Sequence, residues 1–116
     1  MNYLGFSENP LPKIRNYQFA DYQYELIMKS IINFEKELDD EHEVGIWLAS
    51  FGQSILMNVT DIGYANPSLI YFYGYVNGRY SKLIQHVSQL NFLLTSVEKL
   101  DPEKPARRIG FDLGEQ

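Results

Sequence analysis

The 116-residue sequence contains no cysteine, so disulfide bonds, thiolate nucleophiles and cysteine-ligated metals are excluded. It has no apolar run near the roughly 20 residues that a membrane-spanning helix needs. Its first residues also lack the basic and apolar regions of a secretory signal. These absences predict a soluble cytoplasmic protein that has no membrane partner.

Internal repeats, linkers and low-complexity tracts are also missing from the sequence. A chain of this length is most simply one domain with its own core. We therefore predict a single α+β domain over residues 1–116. Pro10, Pro12 and the lack of periodicity mark residues 1–16 as an extended N-terminal arm, and residues 101–116 form a C-terminal tail.

Positive charge is scarce, since 10 Lys and Arg stand against 15 Asp and Glu and give a formal net charge of −5. A general nucleic-acid binder needs clustered Lys and Arg to neutralise phosphates, so we expect no DNA or RNA partner. One exception is local. Lys104, Arg107 and Arg108 gather near the C-terminus and predict a single anion-binding corner.

The usual patterns of catalytic and metal sites are missing as well. The two histidines do not lie at a metal-ligand spacing, and no serine lies in a G-x-S-x-G elbow. The glycines are scattered and form no phosphate loop. Asp61, at the end of a predicted strand, is the one acid placed on the core side of the sheet. We expect no enzyme activity, no metal and no cofactor.

Two segments show the three- and four-residue apolar spacing of amphipathic helices. The first covers residues 21–39 with Asp21 as its N-cap, and an acidic, solvated loop follows at residues 39–43. The second covers residues 88–100 with Ser88 as its N-cap. The first helix has its apolar side chains at Tyr24, Ile27, Ile31, Phe34 and Leu38, and the second at Leu90, Leu93, Leu94, Val97 and Leu100.

Between the helices, two turn signals predict two β-hairpins. Residues 43–51 and 54–62 flank Gly52-Gln53, with Phe51 opposite Ser54, and Asn77-Gly78 joins two further strands. Short turns between consecutive strands favour a four-stranded antiparallel meander. The predicted fold is a two-layer sandwich with both helices on one face. Ile109, Phe111 and Leu113 add a possible C-terminal edge strand.

Alternation at period two gives this sheet two apolar faces. One face is aliphatic and suits the helices: Val44, Ile46, Leu48, Ile55, Met57, Val59, Ile70, Phe72, Val76 and Leu83. The other face is aromatic: Trp47, Phe51, Leu56, Tyr71, Tyr73, Tyr75, Tyr80, Lys82 and Ile84. A large apolar patch on a soluble protein usually marks an interaction site.

Three occupants fit the aromatic face. A second copy of the chain would make a homo-oligomer. An external protein or small ligand is the second possibility, and bases stack well on aromatic rings. The N-terminal arm, with Tyr3, Leu4, Phe6 and Leu11, is the third. For a nucleotide-like ligand, the predicted binding residues are Trp47, Tyr71, Tyr73, Tyr75 and Tyr80 for stacking, and Lys82, Arg107 and Arg108 for phosphate.

Several short motifs carry a resemblance to a known family. The stretches EVG, DIGY, LIQHVSQLN and RRIGF, in that order, span about residues 24–111. The chain resembles a family of short proteins of unknown function from Gram-positive bacteria and their phages, for which no catalytic residue can be carried over. Small acidic phage proteins often resemble anti-defence factors.

We therefore expect a non-enzymatic binding protein of phage anti-defence type that sequesters a small anionic, nucleotide-like signal. The alternative is a protein-binding inhibitor or adaptor that uses the aromatic face against a host protein.

Overall fold

The computed structural model describes Asn16, residues 18–48 and residues 54–109. Five strands form one antiparallel sheet in the order β4-β3-β2-β1-β5, and one helix packs on it. The elements are α1 (Ala20–Glu35), β1 (His42–Leu48), β2 (Ile55–Ala65), β3 (Leu69–Val76), β4 (Arg79–His86), a 3-10 turn (Val87–Gln89) and β5 (Phe92–Glu98). The α+β class is confirmed. The prediction of four strands and two helices is wrong.

The predicted second helix is in fact β5 and the turn before it. β5 pairs with β1 along its whole length, from His42↔Glu98 to Leu48↔Phe92. The edge of β1 offers unpaired backbone groups that a strand satisfies and a helix cannot. Ser88 is not a helix N-cap, because the turn is capped by His86, whose Nδ1 accepts the Ser88 N–H at 3.1 Å.

The first helix exists but starts and stops differently from the prediction. Its N-cap residue is Phe19, which makes no side-chain cap, and Asp21 lies in the first turn. The connection between β2 and β3 supplies the missing acceptors. The Pro67 carbonyl accepts the Ala20 N–H at 2.8 Å, and Asn66 Oδ1 accepts the Asp21 N–H at 2.9 Å. These bonds satisfy backbone donors that a helix start leaves unpaired.

The β3–β4 hairpin has its predicted register. Asn77 and Gly78 have φ values of 52° and 80°, as the tight turn requires, and Tyr75 lies opposite Tyr80. In the β1–β2 pair, Leu48 lies opposite Ile55, whereas the predicted pairing would set it opposite Met57. The slip is two residues, so the side chains of the paired residues 45–48 and 55–58 stay on their predicted faces.

A β-bulge in β2 places Asp61 on a different face of the sheet from the one predicted. The register with β3 shifts between Val59 and Asp61, so Thr60 is an extra residue in β2. This extra residue moves Asp61 from the core side to the opposite side, where it lies exposed and across from Tyr73. Gly74 lies opposite Val59 at the same irregularity. Asp61 therefore lies on the aromatic face, and the prediction that it lies on the core side is wrong.

The sheet curls around its aliphatic side, which we call the inner face. The rings of Phe72 in β3 and Phe92 in β5 are 5.1 Å apart, although two strands lie between β3 and β5. In a flat sheet the two strands would be about 14 Å apart, and the pairing registers also offset the two residues along the strands, since Phe92 shares a row with Ile55 and Phe72 with Ile62. The inner face is therefore concave, and α1 packs into it. The buried core comprises Ala20, Met28, Ile31, Val44, Ile46, Leu48, Met57, Val59, Ile62, Ile70, Phe72 and Ile109.

Two predicted features lie partly outside the described residues. Of the N-terminal arm, only Asn16 is described, and Phe51, Phe111 and Leu113 are not. The described part of the C-terminal tail, residues 101–109, forms no strand, and the sheet edge next to β1 is occupied by β5. No helix within the described ranges is long and apolar enough to cross a membrane.

Candidate functional site

The opposite, convex side of the sheet is the candidate functional site, and we call it the outer face. The pairing register places its residues by strand: Leu93 from β5, Trp47 from β1, Leu56, Asn58, Asp61 and Gly63 from β2, Tyr71, Tyr73 and Tyr75 from β3, and Tyr80, Lys82 and Ile84 from β4. Since α1 packs on the other side, no helix within the described ranges covers this face. It brings together every predicted site residue except the two arginines.

Large apolar side chains on the outer face are open to solvent. Tyr80 is 61% exposed, Ile84 55% and Leu93 63%. Trp47 is 39% exposed and lies between its cross-strand neighbours Leu93 and Leu56. Sequence reasoning missed Leu93 because it was placed in a helix. Together these residues make an apolar surface that crosses the whole sheet.

The tyrosines of the outer face contact one another and a lysine. The rings of Tyr75 and Tyr80 meet edge to face at 5.4 Å, and those of Tyr71 and Tyr73 are 6.3 Å apart. Lys82 Nζ lies 4.3 Å from the ring centre of Tyr71 and 5.4 Å from that of Tyr73. These are cation–π distances. The outer face therefore holds one cation against a cluster of aromatic rings.

Arg108 does not join this cluster, because its guanidinium group binds backbone carbonyls. Nη1 donates to the His42 carbonyl at 2.8 Å and to that of Arg107 at 3.1 Å. Nη2 donates to the carbonyls of Asp39 at 2.8 Å and Leu38 at 3.4 Å. The planar fork of an arginine suits several acceptors at once. Arg108 thus fixes the tail to the loop between α1 and β1.

Two buried carboxylates, those of Glu43 and Glu35, also hold the tail. Glu43 is 5% exposed and accepts two backbone N–H groups, from Leu100 at 3.2 Å and Arg107 at 2.7 Å. Glu35 accepts the N–H of buried Ile109 at 2.7 Å. The prediction that Glu43 lies in a solvated loop is wrong, because it belongs to β1 and the tail covers it. The predicted strand over residues 43–51 did include Glu43, and that part of the prediction is confirmed.

Arg107 differs from its neighbour. Its backbone N–H binds Glu43, but its guanidinium makes no hydrogen bond or ion pair with any residue in the described ranges. Arg107 is half-buried and remains chemically available for an anion. The two predicted phosphate ligands at the tail therefore have separate surroundings.

Replacing Arg108 with lysine should separate its structural contacts from its charge. Lysine keeps the positive charge but cannot reach the four carbonyls as a fork, so we expect the free energy of unfolding to fall by about 1–2 kcal/mol. Urea denaturation measures this change. The matched control is Arg107→Lys, which should change stability by less than about 0.5 kcal/mol. Equal effects of the two substitutions would contradict the assignment.

His42 and Asp39 form a titrating pair beside this clamp, with His42 Nδ1 2.6 Å from Asp39 Oδ1. The hydrogen bond to Asp39 raises the pKa of His42 above its usual 6.5. The bond to His42, and then the Glu41 N–H, lowers the pKa of Asp39 below 3.8. Protonated His42 therefore stabilises the folded protein through its bond to Asp39. This stabilisation is fully present below pH 6.5 and is lost as the pH rises through the higher folded-state pKa of His42.

An NMR titration of the His42 ring checks this prediction. The midpoint should lie above 6.5 in the native protein and should move down in Asp39→Asn, which removes the carboxylate. The contribution of Asp39 has the opposite sense: it is present above pH 3.8 and is lost as the pH falls through the lower folded-state pKa. A His42 midpoint that does not respond to Asp39→Asn would refute the pairing.

Among the cavities of the protein, two that are lined by described residues contain no aromatic residue of the outer face. One, of about 540 Å³, lies between the loop at residues 40–41 and the tail. The other, of about 520 Å³, lies at the start of α1 beside His86 and Ser88. Ser88 Oγ is 2.9 Å from His86 Nδ1, but the same nitrogen accepts the Ser88 backbone N–H. This geometry is that of a turn cap.

The acidic groups do not converge on a metal site in the part of the chain that the structure describes. No group of three or more His, Asp or Glu side chains there could hold a metal ion. His42, which the sequence places among acids, is bonded to Asp39. Burial raises the pKa of the Tyr24 hydroxyl above its usual value. The negative charge of Asp61 and the neighbouring Tyr64 raise it further.

Comparison with known proteins assigns a family. The model of the family DUF6173, a family of unknown function, matches residues 14–112. This match covers most of the chain, so the protein belongs to that family. The chain matches no curated protein and no solved structure. The expectation of a family of unknown function is confirmed.

Proposed function

We propose that this member of DUF6173 is a non-enzymatic binding protein whose protein-binding surface is the outer face. The main observation behind this proposal is the group of exposed apolar side chains on the side of the sheet that α1 leaves uncovered. Leu93, Trp47 and Tyr80 belong to this group. Aromatic residues are enriched in protein interfaces, where few of them supply most of the binding energy. A partner would present an apolar surface with an acceptor for Lys82.

The curvature of the sheet favours a protein partner over a small molecule. Small-molecule sites are concave and enclose most of the ligand. The concave side of this sheet is filled by α1 and the core, while the outer face is convex. A convex aromatic surface does not enclose a small molecule, but it can contact the surface of another protein. The alternative predicted from the sequence, an inhibitor or adaptor, is therefore our lead.

A small anionic, nucleotide-like ligand is the second candidate. It is favoured by Lys82, which stands over the ring of Tyr71, and by the available guanidinium of Arg107. Arg108 is left out of this proposed ligand set, because its donors bind carbonyls. Calorimetry with cyclic and ADP-ribose-derived nucleotides tests the candidate. Binding should weaken in Lys82→Gln, and an absence of heat with every nucleotide would reject it.

The phage origin and anti-defence role belong to this proposal as well. A protein of this kind would act by mass action, either by occupying a host protein or by lowering the free concentration of a signal. No turnover is required for either effect. The resemblance of the motifs EVG, DIGY, LIQHVSQLN and RRIGF supports this role.

Photo-crosslinking tests the lead proposal. The photoreactive residue p-benzoylphenylalanine replaces Tyr80 on the outer face, and in the control it replaces Leu26, which is 41% exposed on α1. In cells that naturally produce the protein, we expect a discrete adduct from position 80 and none from position 26. Excess unlabelled protein should abolish the adduct, whereas excess Tyr73→Ser protein, altered at the centre of the outer face, should not. If position 80 gives no adduct, or competition is equal, the outer face is not a protein-binding surface.

A further inference from the structure

We propose that the outer face binds a second copy of this chain in a two-fold symmetric dimer whose axis runs along β3. This inference rests on the proposed function, because it names the partner of the same surface. It is argued from the order of residues across three neighbouring strands. Two-fold dimers bring one patch against itself, so the patch must be complementary to its own rotated copy.

The first argument is the charge pattern in the row that contains Tyr73. In this row Asp61 of β2 and Lys82 of β4 flank Tyr73 of β3. A rotation about an axis along β3 exchanges the two flanks. Tyr73 then meets Tyr73 of the second copy, and each Asp61 meets a Lys82. The dimer therefore gains two identical ion pairs.

Among the described residues of its own chain, neither Asp61 nor Lys82 has an ion-pair partner. Asp61 and Lys82 lie two strand spacings apart, about 10 Å, with Tyr73 between them. Lys82 makes no ion pair with any residue in the described ranges, and contacts the rings of Tyr71 and Tyr73 instead. One oxygen of Asp61 accepts the Ile62 N–H at 2.8 Å. The second oxygen is left for a partner across the interface.

The charges also select the direction of the axis. An axis that crossed the strands at Tyr73 would set Lys82 against Lys82 and Asp61 against Asp61. Like charges in contact across an interface oppose binding. Only the axis along β3 pairs opposite charges.

The neighbouring rows agree with the same axis. In the row of Tyr75, the exposed Tyr80 of one copy would meet Asn58 of the other, which can bond its hydroxyl group. In the row of Tyr71, the exposed Ile84 of one copy would meet the tyrosine rings that cover Gly63 of the other. The rotation thus covers the two exposed large apolar side chains of β4.

Sedimentation equilibrium of four proteins, together with one control variant, tests the dimer. The native protein should be a dimer at micromolar concentration. Lys82→Glu and Asp61→Lys should each weaken the dimer by roughly tenfold or more, because each puts like charges in contact. The protein that carries both substitutions restores opposite charges, and its affinity should return to within about threefold of the native value. Lys29→Glu on α1 is the control and should leave the dimer unchanged.

The outcomes separate this inference from the proposed function. A native protein that stays monomeric up to millimolar concentration, or a double variant no tighter than the single variants, overturns the dimer. Circular dichroism of all four proteins shows that the fold is kept, and the double variant carries the test if a single variant is unstable. In the crosslinking experiment, an adduct of twice the chain mass supports the second copy. An adduct with a different protein alone overturns the dimer and leaves the proposed function in place.

Discussion

Replacing Gly74 with alanine is expected to lower the free energy of unfolding by about 3 kcal/mol or more. A Cβ atom on Gly74 would lie 2.1 Å from the Asn58 carbonyl oxygen and 2.9 Å from Met57 Cγ. Asn58 cannot move aside easily, because it is paired with both neighbouring strands. The bulge in β2 therefore depends on a residue without a side chain at this position.

Gly63→Ala is the matched control for this prediction. Gly63 lies in β2 as well, but its added Cβ would be 3.6–3.8 Å from the rings of Tyr71 and Tyr73, which is an ordinary contact. We expect a change within about 0.5 kcal/mol. Urea denaturation of the three proteins gives the comparison. Similar midpoints for the two variants would show that the close approach at Gly74 is not a constraint.

Replacing Glu43 with alanine should cost about 3 kcal/mol of stability, since two charge-assisted hydrogen bonds are lost at a buried site. The N–H groups of Leu100 and Arg107 would then have no acceptor, and the tail would separate from the sheet more often. Glu43→Gln should recover part of the loss. Its amide oxygen can accept one N–H, while its amide nitrogen is a donor and cannot accept the other.

Hydrogen exchange locates this effect in the chain. In Glu43→Ala, the amides of Leu100 and Arg107 should exchange faster, and more so than those of the β3–β4 hairpin. Glu103→Ala, which removes an exposed carboxylate from the tail, is the control and should change stability by less than about 0.5 kcal/mol. A tail that keeps its protection in Glu43→Ala would contradict the proposed anchoring.

The β3–β4 hairpin shows what the sequence can predict. Asn77 and Gly78 adopt the positive φ values that their residue types favour, and the register follows from the two-residue turn. The same local rules place Tyr75 opposite Tyr80. The outer face in β3 and β4 could therefore be predicted without any knowledge of distant contacts.

The segment that became β5 shows where local rules fail. Leu90, Leu93, Leu94 and Val97 have helical spacing, yet Phe92–Glu98 is extended because β1 needs a partner along its edge. Such pairing depends on residues about 50 positions away, and periodicity within the segment carries no information about it. One consequence is that Leu93 was missing from the predicted site.

The sequence predicts only part of the candidate site. Trp47 and the tyrosines lie together because alternation along a strand fixes the face of each side chain. Asp61 joined them only through the bulge. Arg108 is not part of the candidate site, because its guanidinium donates to backbone carbonyls 66 and 69 residues earlier in the chain. A sequence motif such as RRIGF does not show whether an arginine faces a ligand or its own backbone.

Local rules were sufficient to predict the alternation that gives the sheet an aliphatic and an aromatic face, the first helix and the Asn77-Gly78 turn. These follow from backbone preferences and side-chain periodicity, which act over a few residues. The fifth strand, the bulge and the contacts of Glu43 and Arg108 with the tail arise only in the folded chain. Those features depend on unpaired backbone groups finding partners far along the chain, because a buried donor or acceptor left alone costs stability.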